Sequence, residues 1–133
     1  MQTIDKYEHA EANAKAWFEE LRDHYRAYLE NPEYDEERDR LLDEMPLSVE
    51  CRASWHTVGD KTGDTEYRIL LTTGGPALQV WGELNGYGEP ENAVLQMQDW
   101  GVPWREVWPC EVAEMDEARD ALLWFASRHY FGE

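Results

Sequence analysis

Basic residues are scarce in this chain. Twelve Lys and Arg stand against 29 Asp and Glu, for a formal charge of −17 at pH 7. A polyanion of this kind is repelled by nucleic acid and by anionic lipid, so direct docking on either is disfavoured. Cysteine is scarcer still. Cys51 and Cys110 lie far apart, fit no metal or redox spacing, and read as free thiols of a reducing cytosol. No run approaches the roughly 20 apolar residues of a membrane span. Met1 to Glu11 is polar and acidic, which gives no expectation of a secretory signal, so the expected location is cytoplasmic. The sequence also lacks G-x-S-x-G, Walker A, H-E-x-x-H, and H-x-E followed by C-x-x-C. No catalytic constellation assembles from it, so the expectation is a non-enzyme without cofactor or metal.

What is present suits a packed core. Of 133 residues, 42% are apolar and 13% aromatic, enough to offset the entropy of ordering one domain. Residues 3–30 read as one helix, with Ala14, Trp17, Phe18, Leu21, Tyr25, Tyr28 and Leu29 recurring at three- and four-residue steps. Pro32 stops it, and the second helix is expected over 32–44, with Asn31 as cap. The period then changes to two. Strands are expected at 47–56, 66–73, 77–85 and 92–100, with Val49, Cys51, Tyr67, Ile69, Leu78, Val80, Leu95 and Met97 inward. Cys51 is therefore expected to be a core thiol. Gly74-Gly75-Pro76 is best explained as a hairpin turn, since no helix or Lys follows it in Walker spacing. Residues 101–110 read as an irregular Trp-rich loop. A last helix is expected over 116–130, with Ala118, Leu122, Phe125, Ala126 and His129 buried.

The expected fold class is α+β, in the order ααββββα, a four-stranded antiparallel sheet with helices packed on one face. It forms a single domain, 1–133. Its parts are an acidic helical pair (1–46), a meander (47–100), and the Trp-rich loop with the last helix (101–133).

Two features are candidates for binding. The outward strand face collects Glu50, Arg52, Arg68, Gln79, Trp81, Glu83, Gln96, Gln98 and Trp100. A large aromatic among amides and charges is the composition of many protein-binding faces. Half-cover by the Trp104–Trp108 loop is the alternative. The second feature is acidic density. Glu30, Glu33, Asp35, Glu36, Glu37, Asp39, Asp43 and Glu44 face only Arg38 and Arg40, and such carboxylates can imitate a run of phosphates for a partner's Arg and Lys. An ordinary solvated helix face is the alternative there. Glu20 and His24 share a helical side, but solvation explains them as well as chemistry does.

From Leu47 onward the chain resembles a family of small acidic proteins of phages and bacterial mobile elements. The residues that carry the likeness are Leu47-Ser48-Val49-Glu50, Glu66 to Leu71, Thr73 to Ala77, Gly82-Glu83-Leu84, Tyr87 to Pro90, Gln98-Asp99-Trp100 and Tyr130 to Glu133. The resemblance implies no catalytic residues. What it implies is an inhibitor of a bacterial defence complex, anti-CRISPR-like or anti-restriction, working in the host cytoplasm. Its partner would be a basic protein surface, a nucleic-acid-binding subunit of that complex. The alternatives are a phage structural or assembly subunit and a small enzyme with a site near Trp81, His56 and Asp99. The sequence leaves the oligomeric state open.

Overall fold

The computed structural model describes residues 8–53, 55–59, 63–73, 77–99, 103–108 and 113–129. In chain order the elements are α1 (Glu8–Glu30), α2 (Glu36–Glu44), β1 (Ser48–Arg52), β2 (Glu66–Thr72), β3 (Ala77–Glu83), β4 (Val94–Gln98), β5 (Arg105–Glu106) and α3 (Met115–Ala126). The class is α+β, as the periodicity indicates. The sheet, however, has five antiparallel strands in the order β1-β2-β3-β4-β5, where four were expected. The extra strand lies in the segment read as irregular. Arg105 and Glu106 pair with Met97 and Gln96. Two residues are too few to show an alternation, so the pairing is invisible in sequence.

The inward strand positions pack against α1 and α3. Tyr67, Ile69, Leu78, Val80, Leu95 and Met97 share one core with Ala14, Phe18 and Leu21 of α1 and with Ala118, Leu122 and Phe125 of α3. Burying a side chain such as Phe18 or Phe125 contributes about 1.5–3 kcal/mol each. Aromatic edges bind the helices together. Trp17 meets Phe125 edge-on at 5.4 Å, and Trp124 lies between Tyr25 and Tyr28. Asn13 Nδ2 donates to Thr72 Oγ1 at 3.0 Å, fixing α1 over the end of β2.

Two local expectations change. The second helix begins at Glu36, not Pro32. Asn31 Oδ1 takes the Glu33 N–H in a turn, and the Asp35 carboxylate caps the helix by accepting from Arg38 N at 3.0 Å. The first strand is shorter than expected and its apolar side is uncovered. Val49 and Cys51 are opposite the inward Ile69 and Tyr67, yet both are exposed. The cause is lateral. α1 packs on β3 and β4, and β1 is the outer edge, beyond the reach of the helical layer. Cys51 is thus no core thiol. Its Sγ donates to Asp64 Oδ2 at 3.0 Å. The Gly74-Gly75-Pro76 turn and Cys110 lie outside the described residues.

Candidate binding groove

The sheet face turned away from α1 and α3 is set out by strand register in three cross-strand rows. Arg52, Glu66 and Glu83 form the first; Glu50, Arg68, Trp81 and Val94 the second; Ser48, Leu70, Gln79, Gln96 and Glu106 the third. Side chains on one face of neighbouring strands stand close enough to interact directly, so the rows behave as ladders. Arg52 Nε donates to Glu66 Oε2 at 3.1 Å, and Arg68 Nε to Glu50 Oε1 at 3.0 Å. Gln79 Nε2 donates to Gln96 Oε1 at 2.6 Å.

Arg52, Glu66, Glu50, Arg68, Trp81, Gln79 and Gln96 of these rows line a groove of about 390 Å³, open to solvent, with Trp104 also on its wall. Trp104 stands two residues before Glu106, on the same side of β5, so the short fifth strand is what brings this indole to the groove. The volume lies within the range of pockets that hold a side chain or small ligand. Its charges cancel in pairs, Glu50 with Arg68 and Glu66 with Arg52. Only one pair is asymmetric in cover: whereas Arg68 and Glu50 are about equally exposed, the Glu66 side chain is 20% exposed and that of Arg52 76%. The carboxylate is the fixed partner and the guanidinium the loose one. Gln79 is buried, at 4% exposure, and among the described residues its Oε1 has no hydrogen-bond partner. A buried acceptor left unmatched is costly, and native interiors contain few of them.

The sequence-predicted residues fall into separate places. Trp81 and Gln96 line the groove. Glu83 and Gln98 share its face without lining it, and Trp100 lies outside the described residues. Glu33, Asp35, Glu36, Glu37, Asp39, Asp43 and Glu44 are remote from the groove, because α2 belongs to the helical layer. Leu42 is buried in the shared core, and Arg128, just past α3, binds α2 through Asp39 and Asp43, both at 2.7 Å. Several of these carboxylates are already committed. Asp35 caps α2, Asp39 and Asp43 hold Arg128, and Glu44 pairs with Arg40 at 3.0 Å. Glu33, Glu36 and Glu37 are exposed and make no ion pair among the described residues.

The residues considered for an enzyme site are not assembled. β1 leaves the sheet at the Arg52–Glu66 end, carrying His56 beyond it, and β4 leaves at the Gln98–Ala77 end, carrying Asp99. The exposed His56 ring has its Nδ1 3.2 Å from the Thr57 carbonyl. Among the described residues no cluster of three His, Cys, Asp or Glu could hold a metal ion. Among them, too, no helix is long and apolar enough to cross a membrane.

Glu66 belongs to the groove and was not singled out by sequence, and Trp104, which also lines it, was named only as part of a loop that could half-cover this face. Arg68 and Arg52 were on the outward face by alternation alone. Glu66 begins its strand, where alternation is weakest, and Trp104 depends on a pairing that no local pattern reveals. No protein-family model, curated protein or solved structure matches this chain.

Proposed function

We propose that the protein is a binding module that seats part of a basic partner in the sheet-face groove. The partner is a nucleic-acid-binding subunit of a bacterial defence complex, which the bound protein inhibits. The observation that carries this reading is the groove itself, a concave site with two indoles on a chain of charge −17. Indoles anchor protein interfaces because they bury large area at low entropic cost. The net charge supplies steering toward a basic surface and repels competing nucleic acid. The choice of a defence complex follows the resemblance to proteins of mobile elements.

Charge mimicry by residues 30–44 is a weaker version, since four of its carboxylates serve the fold. Glu30, Glu33, Glu36 and Glu37 are left to act in it.

The test is affinity capture from bacterial lysate at low and high salt, with cleavage assays on any nuclease recovered. Wild type is compared with Trp81→Ala and with Glu36→Lys/Glu37→Lys, each checked for fold by circular dichroism. Loss of a basic nucleic-acid-binding partner with Trp81→Ala, and only weakened, salt-sensitive capture with the charge reversal, supports the groove. Capture kept by Trp81→Ala and lost by the reversal moves the site to α2. Capture of no basic partner by wild type overturns the reading.

A further inference from the structure

β1 is an outer strand of the sheet, and among the described residues only β2 pairs with it. A strand at an edge carries backbone N–H and C=O groups able to take another strand. Exposed apolar side chains gather along this one. Leu47, Val49 and Cys51 are exposed, and Trp55 and Val58, just beyond the strand, are wholly so. Such a cluster marks a contact surface. The charges of the strand say what covers it. Two cross-strand rows of the outward face end at this edge with opposite signs two residues apart, Arg68 with Glu50 and Glu66 with Arg52. Both edge side chains are at least half exposed. Among the described residues Glu50 binds through Oε1, and Arg52 through Nε and Nη2. That leaves Oε2 and Nη1 able to extend each row by one more charge, with the present pairs kept.

We propose that the β1 edge takes a second copy of this chain, added antiparallel along β1 about a two-fold axis at Cys51, so that two sheets become one. This register sets Glu50 of each copy opposite Arg52 of the other. The row then runs Arg68, Glu50, Arg52, Glu66 across the junction, alternating in sign, with the last two from the second copy. Val49 falls opposite Ala53, and Cys51 opposite its own mate. Neighbouring registers lose the match. An axis at Glu50 opposes two carboxylates, one at Arg52 opposes two guanidiniums, and one at Val49 sets Glu50 against the uncharged Ser48. The axis stands perpendicular to the sheet, so both grooves open on the same side. Two chains of charge −17 repel at long range. Physiological salt screens that repulsion beyond about 8 Å, so contacts at the edge decide a weak dimer. The proposal is independent of the partner-binding reading above.

Sedimentation velocity of the full chain in about 0.15 M salt is expected to show monomer at about 10 μM and dimer at about 1 mM. Glu50→Arg and Arg52→Glu are each expected to weaken the dimer about tenfold, since each opposes like charges at two symmetric positions. An equimolar mixture of the two variants is expected to regain it, because both positions of the mixed pair oppose unlike charges. Loss of an intrachain pair alone would not be rescued by mixing. Cross-linking tests the register. Directly opposite residues have Cα atoms about 4.5–5.5 Å apart, within reach of a disulfide. In Cys110→Ser, diamide, which takes two electrons and two protons from a pair of thiols, is expected to join Cys51 to its mate. Val49→Cys, in Cys51→Ser/Cys110→Ser, is expected to cross-link about tenfold more slowly, because position 49 lies opposite 53. A chain still monomeric at the highest concentration, a dimer indifferent to both reversals, or folded variants not rescued by mixing each overturns the proposal. Equal cross-linking at positions 49 and 51 overturns it too, and that comparison stands if a reversal variant fails to fold. A basic partner captured by a chain that stays monomeric overturns the dimer and leaves the binding-module reading standing.

Discussion

Arg128 Nη2 donates to Asp39 Oδ1 at 2.7 Å, joining residues 89 apart in the chain. The same nitrogen reaches Asp43 at 2.7 Å and the Asp39 carbonyl at 3.2 Å. The Arg128 side chain is only 18% exposed, so this clamp is better shielded than an ordinary surface pair. It matters because α2 has one fully buried residue, Leu42, and nine residues alone do not make a stable helix in water.

Arg128→Ala is expected to loosen α2 more than it unfolds the domain. The global loss is roughly 1–2 kcal/mol, the range of charge-assisted hydrogen bonds with partial screening. Hydrogen exchange by mass spectrometry should show faster exchange across residues 36–44 and unchanged protection in β3 and β4.

Gly82 is expected to tolerate no side chain. A Cβ there would run into the Asn92 carbonyl oxygen and into the Tyr67 ring, 2.7 Å from both Cε1 and Oη. The obstacle is backbone on one side and a fully buried ring on the other, so neither yields cheaply. Gly82→Ala should cost roughly 1–3 kcal/mol or more, the range for an overpacked core, read as a lowered denaturant midpoint.

Tyr67 gives the fold an alkaline limit. Its hydroxyl donates to the Asn92 carbonyl at 2.6 Å. Burial pushes the phenol well above its ordinary 10.0. The folded chain holds this proton where the unfolded chain releases it. Stability is therefore fully present below pH 10 and falls as pH rises beyond it, by about 1.4 kcal/mol per unit for one such group. Tyr25, raised by burial first and by Asp120 second, adds in the same direction. Tyr67→Phe should cost about 1 kcal/mol at neutral pH through the lost hydrogen bond, while flattening the alkaline fall in denaturant titrations.

The acid side has the opposite sign. Arg26 Nε and Nη2 donate to both Glu117 oxygens, at 2.8 and 2.7 Å, linking α1 to α3. Those hydrogen bonds hold the Glu117 carboxyl below its ordinary 4.5, against a smaller opposing effect of burial. Its stabilisation is present above pH 4.5 and is lost as pH falls through the depressed value. Glu117→Gln should remove part of the acid dependence of unfolding, and added salt should shrink the difference between the two proteins.

The element order and the inward residues of β2, β3 and β4 were legible because period two and period 3.6 are local properties. Tyr67, Ile69, Val80 and Leu95 needed only alternation, and Ala14, Phe18 and Leu21 only helical spacing. The limits were local too. Pro32 looked like a helix start until the Asp35 carboxylate, three residues before Arg38, showed the better cap. Val49 and Cys51 alternate as properly as Ile69 does, but alternation cannot say whether a helix lies above them. The outward face was legible as a face, which placed Trp81 and Gln96 in the groove, while Trp104 depended on a two-residue pairing with β4.

The sequence by itself determined the charge, the α+β class and which side of each long strand is apolar, since these are sums or periods over neighbours in the chain. Tertiary structure alone decided three things. It left the β1 edge bare, committed Asp39 and Asp43 to Arg128, and brought Glu66, Gln79 and Trp104 around one groove. All three are set by how layers pack and by pairing between separate parts of the chain, which no local pattern encodes.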